Sequence, residues 1–565
     1  GMPSFTLLGS QIIRFPFILH SSYPHEILHN WWGNGVFVDF QSGNWSEGLT
    51  AYLADHLISE QRGEGAAARR AVLQKYTDYV SEGKDFPLTA FRSRHSAATE
   101  AVGYGKTLMF FHMLRLELGD DLFVRSLQAF YRENKFRVAG FADLEQAFSK
   151  TSGRDLKAEF KRWTTEPGAP MLRLNEPQVK ADGEGYLLTA RLDQLQPGPP
   201  YRLQVPVAVT LEGRDQSYPA ALAMTEKEQT IEIHLPARPV RIDVDPEFDL
   251  FRRLDRNEIP PALSQLFGAS KSLIVLPSAA PEPLLKEYRR LAASWKESQE
   301  GEIEIKLDSE LKELPKQVAV WLFGWENRFR PKMTEALAGY DVAVEASQVR
   351  LGSTELNRGG RSVVLAGRRP ENPDFALAWL AADRAEALPG LARKLPHYGR
   401  YGYLGFEGDA PSNVEKGEWP LIHSPMTRWI PSADGTVVKA ARAKGAPRPA
   451  LAALPPPSAS PAPPPAEKPS GDPFSAERKV SFGTIPDFVY RGKGVRLMAV
   501  LPGSPAEKGG LKGGDIIVRA GTAAVEDLRG FAEVLKTLQP GDRVAVTFLR
   551  DGREQTLEIE AAPRS

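Results

Sequence analysis

Hydrophobic spacing divides this chain before any single residue does. Up to residue 172, apolar positions recur three and four apart, as in "SEGLTAYLADHLISEQ" and "KTLMFFHMLRLELG", and "FADLEQAFSKTSGRDLKAEFKRW" keeps the same beat. That period lines up side chains on one face of an α-helix, so residues 1–172 are expected to be mainly helical. From 173 to 258 the period shortens. "GYLLTARLDQL", "RLQVPVAVTLEG", "QTIEIHLPA" and "VRIDVDP" alternate or run apolar over short stretches, with Gly, Pro and Asp between them. Short strands at this spacing predict a β-sandwich. Between 259 and 431 the two kinds of segment take turns: "KSLIVLPS" precedes "PEPLLKEYRRLAASWKES", "QVAVWLFGW" precedes "RPKMTEALAGY", and "SVVLAGRR" precedes "PDFALAWLAADRAEALPGLARKL". That order predicts an α/β domain, a sheet covered by helices. None of these strands leads into a phosphate-cradling glycine motif, so the domain is expected to be structural or an interface.

The pattern then stops. Residues 432–478 centre on "AKGAPRPALAALPPPSASPAPPPAEKPSGDP", Pro- and Ala-rich, with almost no aromatic or β-branched side chain to bury. Such a stretch reads as an extended, semi-rigid tether, and residues 479–565 beyond it should fold as a module of their own. The fold class expected is thus multidomain.

Composition narrows the function. A chain of 565 residues is too long for one core, which rarely grows past roughly 250 residues. The 71 basic residues cancel the 71 acidic ones, so nothing global favours nucleic acid or an anionic membrane surface. With no cysteine, disulfides and thiolate metal sites are excluded. The longest apolar run, "SFTLLGSQIIRFPFILHSSYP", is interrupted by Gly9, Gln11, Arg14 and Pro16, short of the ~20 residues a membrane helix needs, and it lacks the basic start and cleavage site of a signal peptide. The chain opens on "GMPSF" as though cut from something longer.

One stretch carries chemistry. "HEILHNWWGN" sets His25 and His29 four apart with Glu26 beside the first. If residues 23–33 are helical, both imidazoles lie one turn apart on one face and can converge on a single ion, with Glu26 next to them. Catalytic zinc usually takes three protein ligands and leaves one position open. Glu47, 18 positions after His29 in "NWSEGLTAYLADH", is available as the third, near the start of a second helix that "NGVFVDFQSGNW" can fold back against the first. Such an ion brings the pKa of water down to roughly 7, and Glu26 is placed to take the water's proton and hand it to a leaving amine.

"HNWWGN" and "WSEGLTAY" together resemble the metal-site helices of the aminopeptidase N family of zinc peptidases, the gluzincins. The resemblance implies a helical, thermolysin-like catalytic domain over residues 1–172, one zinc ion on His25, His29 and Glu47, Glu26 as general base, and a peptide or protein substrate. "AVGYGKTLMFFHMLRLELGDDLF" resembles the segment that carries that family's transition-state tyrosine, which falls on Tyr104. The likeness extends to about residue 255, the following β-sandwich included. The spacing from His29 to Glu47 is slightly tighter than the family's, and where its amine-binding Glu-Asn pair is expected, "GMPSFTLL" has Pro3 and Ser4. Proline cannot hold an ammonium, so aminopeptidase-like hydrolysis is expected with an endopeptidase as the alternative. A third possibility is a non-catalytic scaffold.

Residues 479–565, with "GVRLMAVLPGSPAEKGGLKGGDIIVRAG" and "DLRGFAEVLKTL", resemble a bacterial PDZ domain. Such domains add an extended chain to a sheet edge and hold its terminal carboxylate on a backbone loop. The resemblance places the groove at Phe482, Gly483, Thr484 and Ile485, with carboxy-terminal peptides as candidate partners, and with the peptidase likeness it implies an extracytoplasmic setting.

Overall fold

Why the first third is helical follows from what its helices bury. The computed structural model describes residues 21–80, 83–422, 424–432, 480–486, 492–500, 503–550 and 552–563, with residues 6, 8, 18, 435–437 and 442. The chain forms two compact units, residues 1–455 and 456–565. In the larger unit the described helices of the first part are α1 (Ser22–Leu28), α2 (Trp45–Ala51), α3 (Leu57–Gln61), α4 (Gly65–Tyr79), α5 (Ala97–Glu100), α6 (Thr107–Leu118), α7 (Asp120–Asn134), α8 (Phe141–Ser152) and α9 (Lys157–Thr165). Helix α6 is buried along most of its length, including His112 and Arg115, and exposes only Leu116 and Glu117 near its end, so it is a central helix rather than an amphipathic surface one. The continuous period of residues 141–163 breaks at Gly153, which takes a left-handed φ of 69° and ends α8, as only a residue without a Cβ does readily.

Two of these rods are interrupted. A π turn, Tyr52–His56, joins α2 to α3, and a second, Ala101–Lys106, joins α5 to α6. Single π turns inside α-helices concentrate at functional sites, and both of these face the cluster described below.

Two four-stranded sheets follow. One runs 172–174, 185–194, 178–182 with 228–235 also on 185–194; the other runs 427–429, 239–244, 203–211, 218–224. Their inward residues, among them Leu188, Val205, Val209 and Ile242, share a single core with Leu49, Phe110 and Phe130 of the helices. The helical part and the sheets are therefore cemented together. One strand departs from the expected division at 258: Thr427–Trp429 pairs antiparallel with Arg241–Asp243, so the chain returns from the far end of 259–431 to complete this sheet. Asp243 explains the return, accepting from both Arg241 and Thr427.

The intervening segment forms a seven-stranded mixed sheet in the order 302–307, 271–276, 319–323, 376–381, 361–368, 403–407, 412–417. The first four strands are parallel and the last three antiparallel. Helices Glu282–Ser298 and Leu388–Lys394 cover one face, and helix Pro331–Ala336 with a three-stranded meander covers the other. Among the described residues no helix is long and apolar enough to cross a membrane. The smaller unit has its own core around Phe482, Leu497, Ile517, Phe531 and Phe548. Most of 432–478 and the stretch "GMPSF" lie outside the described residues.

The link from sheet to α/β segment is held by a fully buried ion pair network. Arg252 donates to Asp245 at 2.7 Å and to both oxygens of Glu258 at 2.8 Å. Removing one member of such a network strands the others in low dielectric. Arg252→Ala is expected to cost about 3–5 kcal/mol in the urea unfolding of the larger unit; a loss under about 1 kcal/mol would mean water reaches the two carboxylates.

Candidate metal centre

Helix α1 is shorter than the 23–33 expected. It ends at Leu28 with His29 as its cap, because Gly33 takes φ 115° and Gly35 packs with its α-carbon against Asn30 and Trp31 carbonyls, where a Cβ would fall within 2.9 Å of either. The early stop lets Trp32 turn into the core against Trp45 and Phe130. Its carbonyl then folds back onto His29.

His25 and His29 still converge. His25 Nε2 lies 3.2 Å from His29 Nε2, and Glu47 Oε2 lies 3.5 Å from the first and 3.4 Å from the second. This near-equilateral triangle can be tested against an ion. Four ligands at the zinc distances of 2.0–2.1 Å stand about 3.3 Å apart in a tetrahedron, and the three donors match that edge. The opposite ring nitrogens settle the tautomers. His29 Nδ1 is 2.9 Å from the Trp32 carbonyl and His25 Nδ1 is 2.9 Å from Asp55 Oδ2; both partners only accept, so each Nδ1 donates and each neutral ring keeps its Nε2 lone pair for the centre. The chemistry of the set, two imidazoles and a carboxylate, suits a divalent transition metal.

Asp55 has no signal in the α-helical period. Eight positions after Glu47 in an unbroken α-helix would leave the two about 80° apart. The π turn takes more residues per revolution and swings Asp55 back toward the face that carries Glu47.

Electrostatics follow from this crowding. Burial works to lower the His25 pKa, but hydrogen bonds to Asp55 and Glu47 outweigh it and push it up to about 9. Burial works to raise that of Glu47, yet its hydrogen bonds to His25, His29 and Tyr104 hold it well below the usual carboxylate range. Tyr104 sits in the second π turn, its ring stacked 6.3 Å from His25. Burial and the Glu47 charge drive its pKa far above that of an ordinary phenol, so the hydroxyl stays a donor. Glu26 is half-buried on α1 beside His25.

A second grouping, His56, Glu60 and His112, lies within ligand distance too. Its atoms are engaged otherwise: Arg69 Nη1 is 2.8 Å from His56 Nε2, Arg115 donates to Glu60 at 2.8 Å, and His112 meets Tyr52 at 3.2 Å and Asp249 at 3.0 Å. Two arginines oppose a cation there. The network instead anchors the π turn that presents Asp55.

Glu47 reaches the centre because α2 lies directly on α6. A Cβ on Gly48 would fall 2.3 Å from Thr107 Cβ, and one on Gly103 would strike the Phe91 ring at a similar distance.

In the smaller unit the four groove candidates separate. Phe482 is buried, its ring 6.1 Å from Phe531, so its side chain belongs to the core. Gly483 takes φ 75°, its N–H donates to Ser481 Oγ at 3.1 Å, and a Cβ there would meet Ser504 at 2.2 Å. Thr484 and Ile485 pair with Val500 and Ala499, in a strand at the edge of the sheet.

Comparison with known proteins agrees with these two regions. Residues 21–163 match the peptidase family M1 domain and residues 478–561 match the PDZ domain. The chain is 24% identical over 233 residues to the mitochondrial aminopeptidase 2 of Saccharomyces cerevisiae, covering 38% of this chain and 23% of that protein. Aminopeptidase N of Haemophilus influenzae is 26% identical over 263 residues, covering 40% and 29%, and aminopeptidase N of Streptomyces lividans is 24% identical over 194 residues, covering 31% and 21%. The chain spans about a quarter of the length of the curated relatives it matches. Residues 21–163 are thus similar to the peptidase family M1 domain and residues 478–561 to the PDZ domain.

Two outcomes are expected. In the metal-free protein His25 keeps its extra proton up to about pH 9, and an incoming ion must displace it. Uptake at neutral pH should release a proton, and apparent affinity should climb about tenfold per pH unit before flattening near pH 9. Competition titrations with a coloured chelator would read this; affinity independent of pH over that range would place the proton elsewhere. Gly48→Ala should cost about 1–3 kcal/mol through overpacking against Thr107 and lower metal content as Glu47 is pushed aside, read by thermal denaturation and metal analysis.

Proposed function

We propose that the larger unit hydrolyses peptide bonds with one zinc ion held by His25, His29 and Glu47, in an aminopeptidase-like reaction. The observation that carries this reading is the donor triangle of 3.2–3.5 Å edges with each imidazole locked from behind. The similarity to aminopeptidases supports the substrate class.

His25, His29 and Glu47 would hold the zinc ion, which would supply Lewis acidity toward a carbonyl oxygen and a water molecule. Glu26 takes a proton from the attacking water on its carboxylate and delivers it to the departing amine nitrogen. Tyr104 donates its hydroxyl to the carbonyl oxygen as negative charge gathers there, worth about 2–4 kcal/mol. Asp55 and the Trp32 carbonyl hold the two imidazoles in the tautomer that faces the centre. A second reading, an endopeptidase that makes no use of a free amino terminus, is favoured by Pro3 and Ser4 where the family's amine anchor is expected. The PDZ domain recruits carboxy-terminal peptides through Gly483, Thr484 and Ile485, raising the local concentration of substrate or partner, and the setting is extracytoplasmic.

Paired peptides with free and acetylated amino termini test this. Zinc-loaded protein should cleave the free peptide, Glu26→Gln should slow cleavage by about 10²–10⁴-fold with zinc content unchanged, and Tyr104→Phe by about 10²-fold. Equal cleavage of both peptides would establish the endopeptidase. No zinc-dependent cleavage of either would sink the catalytic reading.

A further inference from the structure

The α/β segment has no catalytic constellation, yet it reaches the neighbourhood of the metal centre. A cavity of about 570 Å³ begins at Asp55 and Tyr104, two of the side chains around His25, and ends on the α/β segment at His397 and Arg400. Lys75 of α4 and Glu100 of α5 line it between.

Its walls are held together. Arg70 of α4 and Arg400 of the α/β segment both bond Glu418, at 2.6 and 2.7 Å. Close by, Gln74 donates to Ser264, which donates to the buried Asp78 at 2.6 Å. Two independent staples therefore fix the α/β segment against α4.

The lining itself holds two cations, Lys75 and Arg400, against two acids, Asp55 and Glu100, with His397 among them. Glu418 is shared by Arg70 and Arg400; Glu100 is shared by Lys75 at 2.6 Å and Arg94 at 3.6 Å. Around the cavity four cations thus share two carboxylates, with Arg70, Arg94 and Glu418 standing outside its lining. The second acid of the lining, Asp55, is committed to His25, and nearby Asp78 pairs with Arg256. Arg400 spends Nε and Nη2 on Glu418, leaving Nη1 directed at no described protein acceptor, and His397 is exposed beside it.

We propose that this cavity is a specificity pocket for a carboxylate of the bound peptide, with Arg400 of the α/β segment and Lys75 as its cationic recognition groups. The proposal rests on the peptidase reading for the identity of the ligand as a peptide. The carboxylate comes either from an acidic side chain or from the free carboxyl end of a short peptide; both present the planar anion that a guanidinium binds well.

Binding separates this from catalysis. Zinc-loaded Glu26→Gln protein is titrated calorimetrically with four tripeptides, bearing glutamate or glutamine in the second position, each with a free or amidated carboxyl end. The carboxylate-bearing peptides should bind about tenfold more tightly than the one with none, the gain of a charge-assisted hydrogen bond. A preference that follows glutamate identifies an acidic side chain; one that follows the free end identifies the terminus. In the Arg400→Glu background the preference should vanish, and Lys75→Met, on a separate element, should weaken it independently. Equal binding of all four peptides, or a preference untouched by both substitutions, overturns the proposal. Hydrolysis by the parent is scored separately, so a carboxylate preference without cleavage would retain the pocket and refute the peptidase.

Discussion

Holding three lone-pair donors within 3.5 Å of one another is the constraint around which the helical part is organised. Two imidazoles and a carboxylate in such proximity do not stay aligned on their own, since each would rotate toward water. Asp55 and the Trp32 carbonyl prevent that by engaging the far nitrogen of each ring. Gly48 lets the helix bearing Glu47 lie against Thr107. Two π turns supply the remaining adjustment, one aiming Asp55 and the other carrying Tyr104 over His25. Local departures from regular helix are thus concentrated at the place where side chains must meet an external geometry.

The surrounding architecture keeps those departures in place. Tyr52 and His56, on the same π turn as Asp55, enter a buried network with Arg69, His112, Arg115 and Asp249. Asp249 belongs to the loop that follows strand 239–244. The β-sheets therefore brace the candidate metal centre from behind, consistent with their sharing one core with the helices. The α/β segment is tied in by Arg70, Glu418 and Arg400 on one side and by Arg252, Asp245 and Glu258 at its root. Lys75 and Arg400 then line one cavity between α4 and residues 396–400, where neither the helices nor the α/β segment alone would form a pocket.

Much of this could be read along the chain. The change from a helical to a strand period at residue 173, the return of alternating elements after 259, and the pair His25 and His29 are local patterns, and local patterns reflect side-chain periodicity that does not depend on the rest of the fold. Glu47 could be named because few carboxylates stand near the start of the next helix. What could not be read was register that is broken or shared across distance. Asp55 is invisible to a 3.6-residue period because a π turn intervenes. Strand 427–429 joins a sheet whose other members end at residue 244, and no local signal tells a short strand which sheet it will enter. Phe482 looked like a groove residue from its place in "SFGTIPDF", and it packs inward.

The sequence by itself determined the kinds of element, their order, and which side chains have the chemistry to bind a metal ion and move a proton, since these depend on composition and short spacing. Only the tertiary structure decided that the donors stand at tetrahedral spacing, that a distant aspartate orients one of them, and that Arg400 and Lys75 flank one cavity. Each of these is a matter of ångströms between segments far apart in the chain, and such distances are set by packing of whole elements rather than by any residue's own preference.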